Sequence, residues 1–348
     1  KKNDVDWKKL EKTITTAVRL QDNVIDRTYY FLEENKQQAL GERRIGLGVM
    51  GLHDLIIYCN LRYGSLEANK FVDKLFKFFA TTAYKASIEL AKEKGSFPFL
   101  DQYGSRAKFV ETGYMKRMPE EVRNGVLEHG IRNSHLLTIA PTGSTGTMVG
   151  VSTGLEPYFA FKYYRSGRLG KFMEVNAPVV DNYLELHPEY SHDNLPDIFV
   201  SAMDLTAEEH ADVQCTIQRW IDSSISKTVN APKGYSVEEV ERVYMRLYKG
   251  GAKGGTVYVD GSRDTQVLTL KKDDPQPKQV GLEDFGITVE EKVVAKEMDD
   301  INPARTKANR NIGVEIGDLC PICNEGTVED IGGCNTCTNC NAQLKCDV

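Results

Sequence analysis

The sequence predicts an α/β body followed by a small cysteine-rich tail. Between residues 136 and 259, short apolar runs that are typical of buried strands alternate with segments of helical periodicity. Such alternation favours parallel strands that are connected by helices. A charged stretch poor in apolar residues follows at residues 271–311, and six of the eight cysteines lie beyond it. We therefore expect a body at residues 1–270, a flexible linker at 271–313 with one short helix, and a tail at 314–348.

Composition and charge exclude several classes of protein. The 348 residues carry 44 basic and 50 acidic side chains, for a net charge of −6. This balance indicates neither a nucleic-acid-binding nor a membrane-binding surface. No apolar run approaches the roughly 18 residues of a membrane span and no signal peptide opens the chain, so we expect a soluble, cytoplasmic protein. Because the chain starts at Lys1 and passes straight into a helical pattern, we expect it to be the later part of a longer protein.

Helices are predicted at three places in the first hundred residues. Apolar residues near helical spacing mark the first, at residues 7–25. Residues 44–59 form an apolar run with three glycines, which we interpret as a helix whose glycines permit tight packing. A long core helix is predicted to begin after Ser65, its N-cap, and to end at Gly95.

Two capping boxes mark later helices. Thr206 with Glu209, and Ser236 with Glu239, have the spacing at which each side chain bonds the backbone N–H of the other residue. The second of these helices is expected to end at Gly250.

Three potentially reactive side chains stand apart from any cluster. Cys59 and Cys215 lie on predicted helices, and we interpret both as buried apolar fillers. His135 precedes the apolar run at residues 136–140, where a lone histidine is more often a satisfied structural group than a catalyst.

A turn rich in glycine and hydroxyl side chains follows that apolar run, which Pro141 ends. A strand that breaks into such a turn before a helix presents free backbone N–H groups and the positive end of the helix dipole, which together bind phosphate. The glycines would let a ligand approach the backbone closely. The alternative is a tight turn with hydroxyl caps and no ligand. No Gly-Lys-Ser/Thr follows, so this is not a Walker A loop. The candidate phosphate-binding residues are Thr142, Gly143, Ser144, Thr145 and Gly146.

The tail has the cysteine spacing of a zinc ribbon, in which two Cys-x-x-Cys pairs bind Zn²⁺ tetrahedrally. The first pair is followed by Asn324, whereas the second is ambiguous because three cysteines follow one another at three-residue spacing. We favour the pair that is followed by Asn341, because asparagine tolerates the left-handed backbone that a zinc knuckle often needs. The predicted ligands are Cys320, Cys323, Cys337 and Cys340, and the alternative uses Cys334 in place of Cys340.

This assignment leaves Cys334 and Cys346 without a metal. A free thiol pair on a tethered tail can carry reducing equivalents by thiol–disulfide exchange. The alternative is two idle thiols. Acidic side chains surround the cysteines, which disfavours nucleic acid as a partner of the ribbon.

Six segments of the chain carry a family resemblance. They are QDNVID (21–26), RRIGLGVMGLHDL (43–55), RNSHLLTIAPTGSTGTMVGVSTGLEP (132–157), YYRSGRLGKFMEVN (163–176), RWIDSSISKTVN (219–230) and GGTVYVDGSRDTQVL (254–268). Together they resemble the large chain of ribonucleotide reductase, in its adenosylcobalamin-dependent (class II) form. The resemblance covers nearly the whole chain.

This resemblance implies the later half of the ten-stranded α/β barrel of radical reductases, with a zinc ribbon in the tail. It implies reduction of ribonucleotides, with diphosphates expected, to 2′-deoxyribonucleotides by thiyl-radical chemistry that adenosylcobalamin initiates. Residues 142–146 would hold the substrate diphosphate. Tail cysteines would re-reduce an active-site disulfide, with thioredoxin or a similar dithiol as reductant. The complete enzyme is expected to be a homo-oligomer.

The sequence departs from the family at the radical site. Relatives carry the radical cysteine in an Asn-Pro-Cys-Gly-Glu type of loop, and no such motif occurs here. The carboxylate partner, the active-site cysteine pair and the effector-nucleotide region are missing as well. We therefore expect the chain to act only together with an N-terminal part of the same enzyme.

One position distinguishes the subclasses of the family. Relatives that take their radical from a separate metal-containing subunit carry adjacent tyrosines on the strand that matches residues 256–259. Here Tyr258 is followed by Val259, which favours a radical made from adenosylcobalamin. Tyr258 is then expected to line the site, although a buried aromatic of the strand is the alternative. The alternative for the whole chain is a non-catalytic zinc-ribbon binding protein with a degenerate α/β body.

Overall fold

The computed structural model of the protein describes residues 4–167, 170–192, 194–262, 268–269, 313, 315–323, 325–331 and 334–346. The chain divides into two units, Lys1–Gln276 and Pro277–Val348, which contain the predicted body and the predicted tail respectively. The predicted linker and its short helix lie, apart from Gly313, outside the described residues.

The body is rich in helices. They are α1 (Trp7–Arg27), α2 (Glu33–Glu42), α3 (Leu52–Tyr58), α4 (Leu66–Lys94), α5 (Pro98–Tyr103), α6 (Arg106–Val110), α7 (Glu120–His129), α8 (Gly143–Val149), α9 (Pro178–Leu186), α10 (Ala207–Gln218) and α11 (Val237–Lys249). The strands are β1 (Lys162–Gly167), β2 (Gly170–Asn176), β3 (Thr228–Ala231), β4 (Thr256–Val259) and β5 (Leu268–Thr269) in the body, then β6 (Val328–Ile331), β7 (Cys334–Cys337) and β8 (Gln343–Cys346) in the tail. Among the described residues, no helix combines the length and apolarity that crossing a membrane requires.

Helices α1 and α4 pack against each other in the main core, and both confirm the sequence prediction. Oγ of Ser65 accepts a hydrogen bond of 3.1 Å from the Ala68 N–H at the start of α4. Gly95 ends this helix with a positive φ of +80°. Ile14 and Val18 of α1 are 2% and 0% exposed and belong to the same core as the buried face of α4.

The glycine-rich run at residues 44–51 is not helical, so the prediction of a helix is wrong for this part of residues 44–59. Only its end forms a helix, α3. Leu47 instead pairs in parallel with Leu137 on the neighbouring segment. A side chain at Gly48 would collide with the carbonyl oxygen of Thr138. The glycine therefore allows the close approach of a neighbouring strand segment, not of a helix.

Parallel strand segments run side by side through the middle of the body. The segment at residues 136–139 pairs in parallel with Leu47 on one side and with Ile225 on the other. Further along the chain, β3 pairs in parallel with β4. The predicted α/β body with parallel pairing is thus confirmed. Within the described residues the series stays open, because neither Leu47 nor β4 pairs with another parallel strand, so the barrel is not closed.

A buried carboxylate aligns the central segment of this series. Asp222, 4% exposed, accepts hydrogen bonds of 2.8 and 2.9 Å from the N–H groups of Leu136 and Leu137. The hydroxyl of Tyr84 on α4 donates to the same carboxylate over 2.7 Å. Asp222 thereby joins the central segment to the long core helix.

Both predicted capping boxes are formed. Oγ1 of Thr206 accepts from the Glu209 N–H, while the Glu209 carboxylate accepts from the Thr206 N–H over 2.8 Å. Ser236 and Glu239 repeat this arrangement at the start of α11, which ends at Gly250 as expected.

An antiparallel hairpin interrupts the α/β alternation. Strand β1 pairs with β2 on one side and with β5 on the other, in both cases antiparallel. The sequence analysis did not predict this hairpin.

Three of the sequence segments that resemble the reductase family meet in one buried ion cluster. Arg43 donates to Asp22 over 2.9 Å and to Asp26 over 2.8 Å. The amide of Asn133 donates to the same Asp22 carboxylate over 3.2 Å. Burial opposes ionisation of Asp22, but the hydrogen bonds and positive charges of Arg43 and Arg132 together outweigh it, and the Asp22 pKa lies below its usual value.

Candidate phosphate loop and cysteine site

The predicted phosphate loop lies between the central strand segment and α8. Pro141 follows the segment, and Thr142 is the N-cap of α8 with a left-handed backbone, φ +48° and ψ +28°. For a β-branched residue this conformation is a strained one. The chain thus turns sharply within two residues and enters the helix at Gly143.

The start of α8 leaves backbone donors free. Among the described residues, no acceptor is found for the N–H groups of Gly143, Ser144 or Thr145, whereas the Gly146 N–H donates to the Thr142 carbonyl over 2.7 Å. Ser144 and Thr145 are exposed. The loop therefore presents three N–H groups and two hydroxyls at the positive end of a short helix, an arrangement that can bind an oxyanion.

The two loop glycines, Gly143 and Gly146, differ in the space that surrounds them. A Cβ at Gly143 would meet no atom within 4 Å, and Gly143 does not have a positive φ. A Cβ at Gly146 would lie 2.9 Å from Cγ2 of Thr153. The missing side chain at Gly146 thus makes room for the protein's own chain, and a role of either glycine in ligand approach stays a prediction.

That approaching chain is the return segment, which we define as residues 150–158. Its backbone is anchored at several points by side chains from elsewhere in the body. The Ser152 N–H donates to Asp54 over 2.8 Å, and the Tyr63 hydroxyl donates to the Leu155 carbonyl over 2.6 Å. The Gly154 N–H donates to Oγ1 of Thr142 over 2.7 Å, which joins the return segment directly to the loop.

A buried charged cluster that the sequence analysis missed holds the end of the return segment. Nζ of Lys227 lies 2.6 Å from a carboxylate oxygen of Glu156 and 2.8 Å from Nδ1 of His210. These residues are far apart in sequence and share no motif spacing. The signal that could have found them is the alternation of residues 225–229, in which Lys227 takes an inward-facing position between Ile225 and Val229.

Two other candidate residues, Tyr258 and His135, lie outside the loop at residues 142–146. Tyr258 lies on β4, half-buried, in register with Asn230 of β3. His135 is half-buried with Nδ1 3.2 Å from Oγ of Ser134, and burial lowers its pKa. The proposed role of Tyr258 as a lining residue stays a prediction.

The tail brings four cysteine sulfurs together. Every ligand atom of the group lies within 4.8 Å of the others. Two of the sulfur–sulfur distances are 3.8 Å, Cys320 to Cys340, and 3.6 Å, Cys323 to Cys337. A tetrahedral zinc site with Zn–S bonds of about 2.3 Å places its sulfurs about 3.8 Å apart. The group consists of the four residues that spacing predicts as ligands.

Backbone N–H groups favour thiolates at this cluster. The backbone of Gly326 and Glu325 lowers the pKa of Cys323 to about 6. The Ala342 backbone favours the Cys340 thiolate as well, but burial and the three neighbouring cysteine sulfurs together outweigh it and raise the Cys340 pKa to about 12. Four thiolates this close together therefore need a cation to ionise fully.

Local backbone geometry is also that of a metal knuckle. The N–H of Asn339 donates to Sγ of Cys337 over 3.3 Å. Asn341 has a left-handed backbone with φ +56°, as the sequence analysis expects after the second pair. A side chain at Gly326 would collide with the Cys337 sulfur. Asn324, the corresponding residue after the first pair, lies outside the described residues.

Cys334 lies outside this cluster. Its Cα faces that of Cys346 across the antiparallel strands β7 and β8. Cys334 is 9% exposed and disulfide-bonded, so the structure describes its oxidised state.

The body is a parallel α/β protein, and comparison with known proteins identifies its family. Residues 1–258 match the barrel domain of ribonucleotide reductase. This chain therefore belongs to the ribonucleotide reductase family.

The relatives of this chain carry two different names. The chain is 31% identical over 301 residues to the vitamin B12-dependent ribonucleoside-diphosphate reductase of Mycobacterium tuberculosis, covering 81% of this chain and 40% of the relative. It is 33% identical over 298 residues to the protein of the same name from Thermoplasma acidophilum, covering 79% and 36%. A ribonucleoside-diphosphate reductase subunit alpha from Chlamydia trachomatis is 28% identical over 302 residues, covering 76% and 28%. The chain thus spans less than half the length of each of these relatives.

Proposed function

We propose that this chain is the C-terminal part of an adenosylcobalamin-dependent ribonucleoside-diphosphate reductase. The match of residues 1–258 to the reductase barrel domain carries the proposal. The names of the relatives from M. tuberculosis and T. acidophilum support both the cofactor and the diphosphate substrate. In the net reaction the ribonucleotide loses its 2′-hydroxyl as water and gains hydrogen, while two thiols become one disulfide.

Within this chain, we assign substrate binding to the loop at residues 142–146. The free N–H groups of Gly143, Ser144 and Thr145 support its assignment as the seat of the diphosphate. Because the loop contains no lysine, neutral donors and the helix dipole would bind the anion. Such donors are fixed in direction, so they orient the nucleotide as well as bind it.

Adenosylcobalamin supplies the radical chemistry when bound. Next to the loop, the exposed large apolar side chains are Met148 and Val149, and both belong to one turn of α8. One helical turn is too small a surface to identify where the ring system of the cofactor would bind among the described residues. We therefore assign the cofactor no residue. Tyr258 on β4 is kept as a proposed lining residue of the site.

The tail is proposed to bind one Zn²⁺ through Cys320, Cys323, Cys337 and Cys340. Sulfur–sulfur distances of 3.6 and 3.8 Å support tetrahedral coordination. Zinc would supply structure rather than chemistry, since four thiolate ligands leave it no open position.

Cys334 and Cys346 are proposed as the exchange pair of the tail. Their position as cross-strand partners supports this role. A thiolate of the reduced pair would attack a disulfide left by catalysis, and thioredoxin or a similar dithiol would then reduce the tail. In a reconstituted enzyme, the Cys334→Ser, Cys346→Ser double variant should complete one turnover after pre-reduction but lose thioredoxin-driven turnover. Normal thioredoxin-driven turnover would show that the two residues are bystanders.

Reconstitution tests the proposed function as a whole. With adenosylcobalamin, a ribonucleoside diphosphate and a small dithiol, the chain by itself should form no deoxynucleotide. Addition of an N-terminal part that carries the Asn-Pro-Cys-Gly-Glu loop should give product. Product from the chain by itself, or a stable complex of the two parts without product, would contradict the proposal.

A further inference from the structure

We propose that Lys227 is a positioning residue that fixes the return segment and, through it, the loop at residues 142–146. The inference rests on the proposed function for the identity of the ligand. The mechanical connection between Lys227 and the loop does not depend on the proposed function, because it rests on the contacts of Lys227.

Lys227 is completely enclosed, and each proton of its ammonium group has an acceptor. The side chain is 0% exposed. Nζ donates to Glu156 over 2.6 Å, to Nδ1 of His210 over 2.8 Å and to the carbonyl of Thr228 over 2.6 Å. A buried lysine without such partners would be strongly unfavourable. The three contacts therefore fix the ammonium group in one position.

The partners of Lys227 are themselves fully engaged. One oxygen of Glu156 accepts from Lys227, and the other accepts from the Thr228 N–H over 2.6 Å. Because Nδ1 of His210 accepts from Lys227, its Nε2 must carry the proton that is donated to the Ala202 carbonyl over 2.9 Å. Burial and the charge of Lys227 lower the His210 pKa to about 3, so the imidazole is neutral. The cluster thus contains one cation, one anion and a neutral histidine of defined tautomer.

The cluster connects three elements of the body. Glu156 belongs to the return segment, His210 to α10, and Thr228 to β3. Removal of the lysine would leave the Glu156 carboxylate, whose side chain is 23% exposed, with the Thr228 N–H as its remaining partner. The end of the return segment would then lose its attachment to α10.

A short chain of contacts leads from Glu156 to the loop. The Glu156 N–H donates to the Thr153 carbonyl over 2.9 Å, which closes a tight turn around Gly154. A Cβ at Gly154 would lie 2.8 Å from the Ala140 carbonyl, so this turn sits directly on the strand end before the loop. The Gly154 N–H then holds the side chain of Thr142, the left-handed residue that begins α8. A shift of Glu156 is therefore transmitted to Thr142 through short, directional contacts.

Amide hydrogen exchange of the full 348-residue chain measures this connection directly. The single variant Lys227→Met removes the cation that pairs with the partly buried Glu156 carboxylate and is expected to destabilise the whole body. The informative variant is the double Lys227→Met, Glu156→Gln, which removes both charges and keeps an acceptor for the Thr228 N–H. In it, exchange across residues 142–157 should rise about tenfold, while exchange in α4 stays within about twofold of the unchanged chain.

A matched control is Asp22→Asn, which disturbs the buried ion cluster of Asp22 and Arg43. That cluster makes no hydrogen bond to the loop or the return segment among the described residues. The variant Asp22→Asn should therefore raise amide exchange near α1 without a selective effect on residues 142–157. The positioning role would be overturned if the double variant Lys227→Met, Glu156→Gln showed unchanged amide exchange in residues 142–157, or an equal rise of exchange in α4.

Pyrophosphate binding separates this inference from the proposed function. By calorimetry, the double Lys227 variant should bind pyrophosphate about tenfold more weakly than the unchanged chain, and Asp22→Asn should bind it equally well. Equal affinity in the double variant would overturn the inference. If the unchanged chain does not bind pyrophosphate, the phosphate assignment fails, and the exchange pattern still decides whether Lys227 positions the loop.

Discussion

The backbone N–H of Gly154 donates a hydrogen bond of 2.7 Å to Oγ1 of Thr142, across the base of the proposed phosphate loop. This contact joins two stretches of chain that are separated by the whole of α8. It also compensates for the left-handed backbone of Thr142, whose φ of +48° is unfavourable for a β-branched residue.

Thr142→Val removes that acceptor while it keeps the size and branching of the side chain. The Gly154 N–H would lose its partner, and we expect the free energy of unfolding to fall by about 1–3 kcal/mol. Thr142→Ser keeps the oxygen and should cost less. Urea denaturation of the two variants measures the difference. Equal losses in both would show that the hydrogen bond contributes nothing.

Gly146→Ala and Gly143→Ala form a matched pair on the same helix. A Cβ at Gly146 would lie 2.9 Å from Thr153, so α8 must move away from the return segment, at a cost of about 1–3 kcal/mol. A Cβ at Gly143 meets open space, and alanine should leave stability unchanged or raise it by about 0.5–1 kcal/mol. Thermal unfolding compares them. The reverse order of stabilities would contradict the packing described for the loop.

Features set by neighbours in sequence were predictable, and those set by distant neighbours were not. The N-cap Ser65 and the capping box of Thr206 and Glu209 are local, so residue spacing alone predicts them. The four zinc-type cysteines likewise follow from two local pairs. The loop was found because glycines and hydroxyls follow a strand directly.

The segment around Gly48 was assigned the wrong structure for the opposite reason. An apolar run with glycines is compatible with a helix or a buried strand, and periodicity does not separate the two. The local structure is determined by Thr138, which is distant in sequence. Its carbonyl oxygen lies too close to Gly48 for a side chain to fit there. Lys227 and Glu156 were missed for the same reason, since their contact spans 71 residues.

Metal content separates the two possible zinc pairings. Cys337→Ser should lose zinc and unfold the tail, because binding and folding are coupled in so small a unit. Cys334→Ser should retain one zinc per chain, since Cys334 lies outside the cluster of four sulfurs. Elemental analysis of purified variants gives the stoichiometry. Zinc lost from Cys334→Ser but retained in Cys340→Ser would favour the other pairing.

Stability should depend on pH through the buried histidines. Burial lowers the pKa of His53 to about 3, and burial together with Lys227 lowers that of His210 to about 3. In the unfolded chain both protonate below about pH 6.5, so the unfolded state binds more protons between pH 6.5 and 3. Stability contributed by their neutral forms is complete above about pH 6.5 and is lost progressively as the pH falls toward 3.

Each of these histidines should add a slope of about 1.4 kcal/mol per pH unit within that window. The variant His53→Gln should remove one such contribution. Urea unfolding at pH 6.5, 5.5 and 4.5 measures the slope before and after substitution. An unchanged slope in His53→Gln would mean that His53 does not titrate on unfolding in this range.

The most direct test of the phosphate loop is calorimetric binding of a ribonucleoside diphosphate to Ser144 variants. Ser144 is exposed in the first turn of α8, where an acidic residue is compatible with the helix dipole, so Ser144→Glu should fold normally. Its carboxylate would compete for the free N–H groups and repel the diphosphate. Ser144→Gln is the neutral control of the same size. We expect Ser144→Glu to lose diphosphate binding at least about tenfold relative to Ser144→Gln, with no difference between them for the unphosphorylated nucleoside. Equal diphosphate affinity in the two variants would contradict the assignment of this loop as the substrate's phosphate seat.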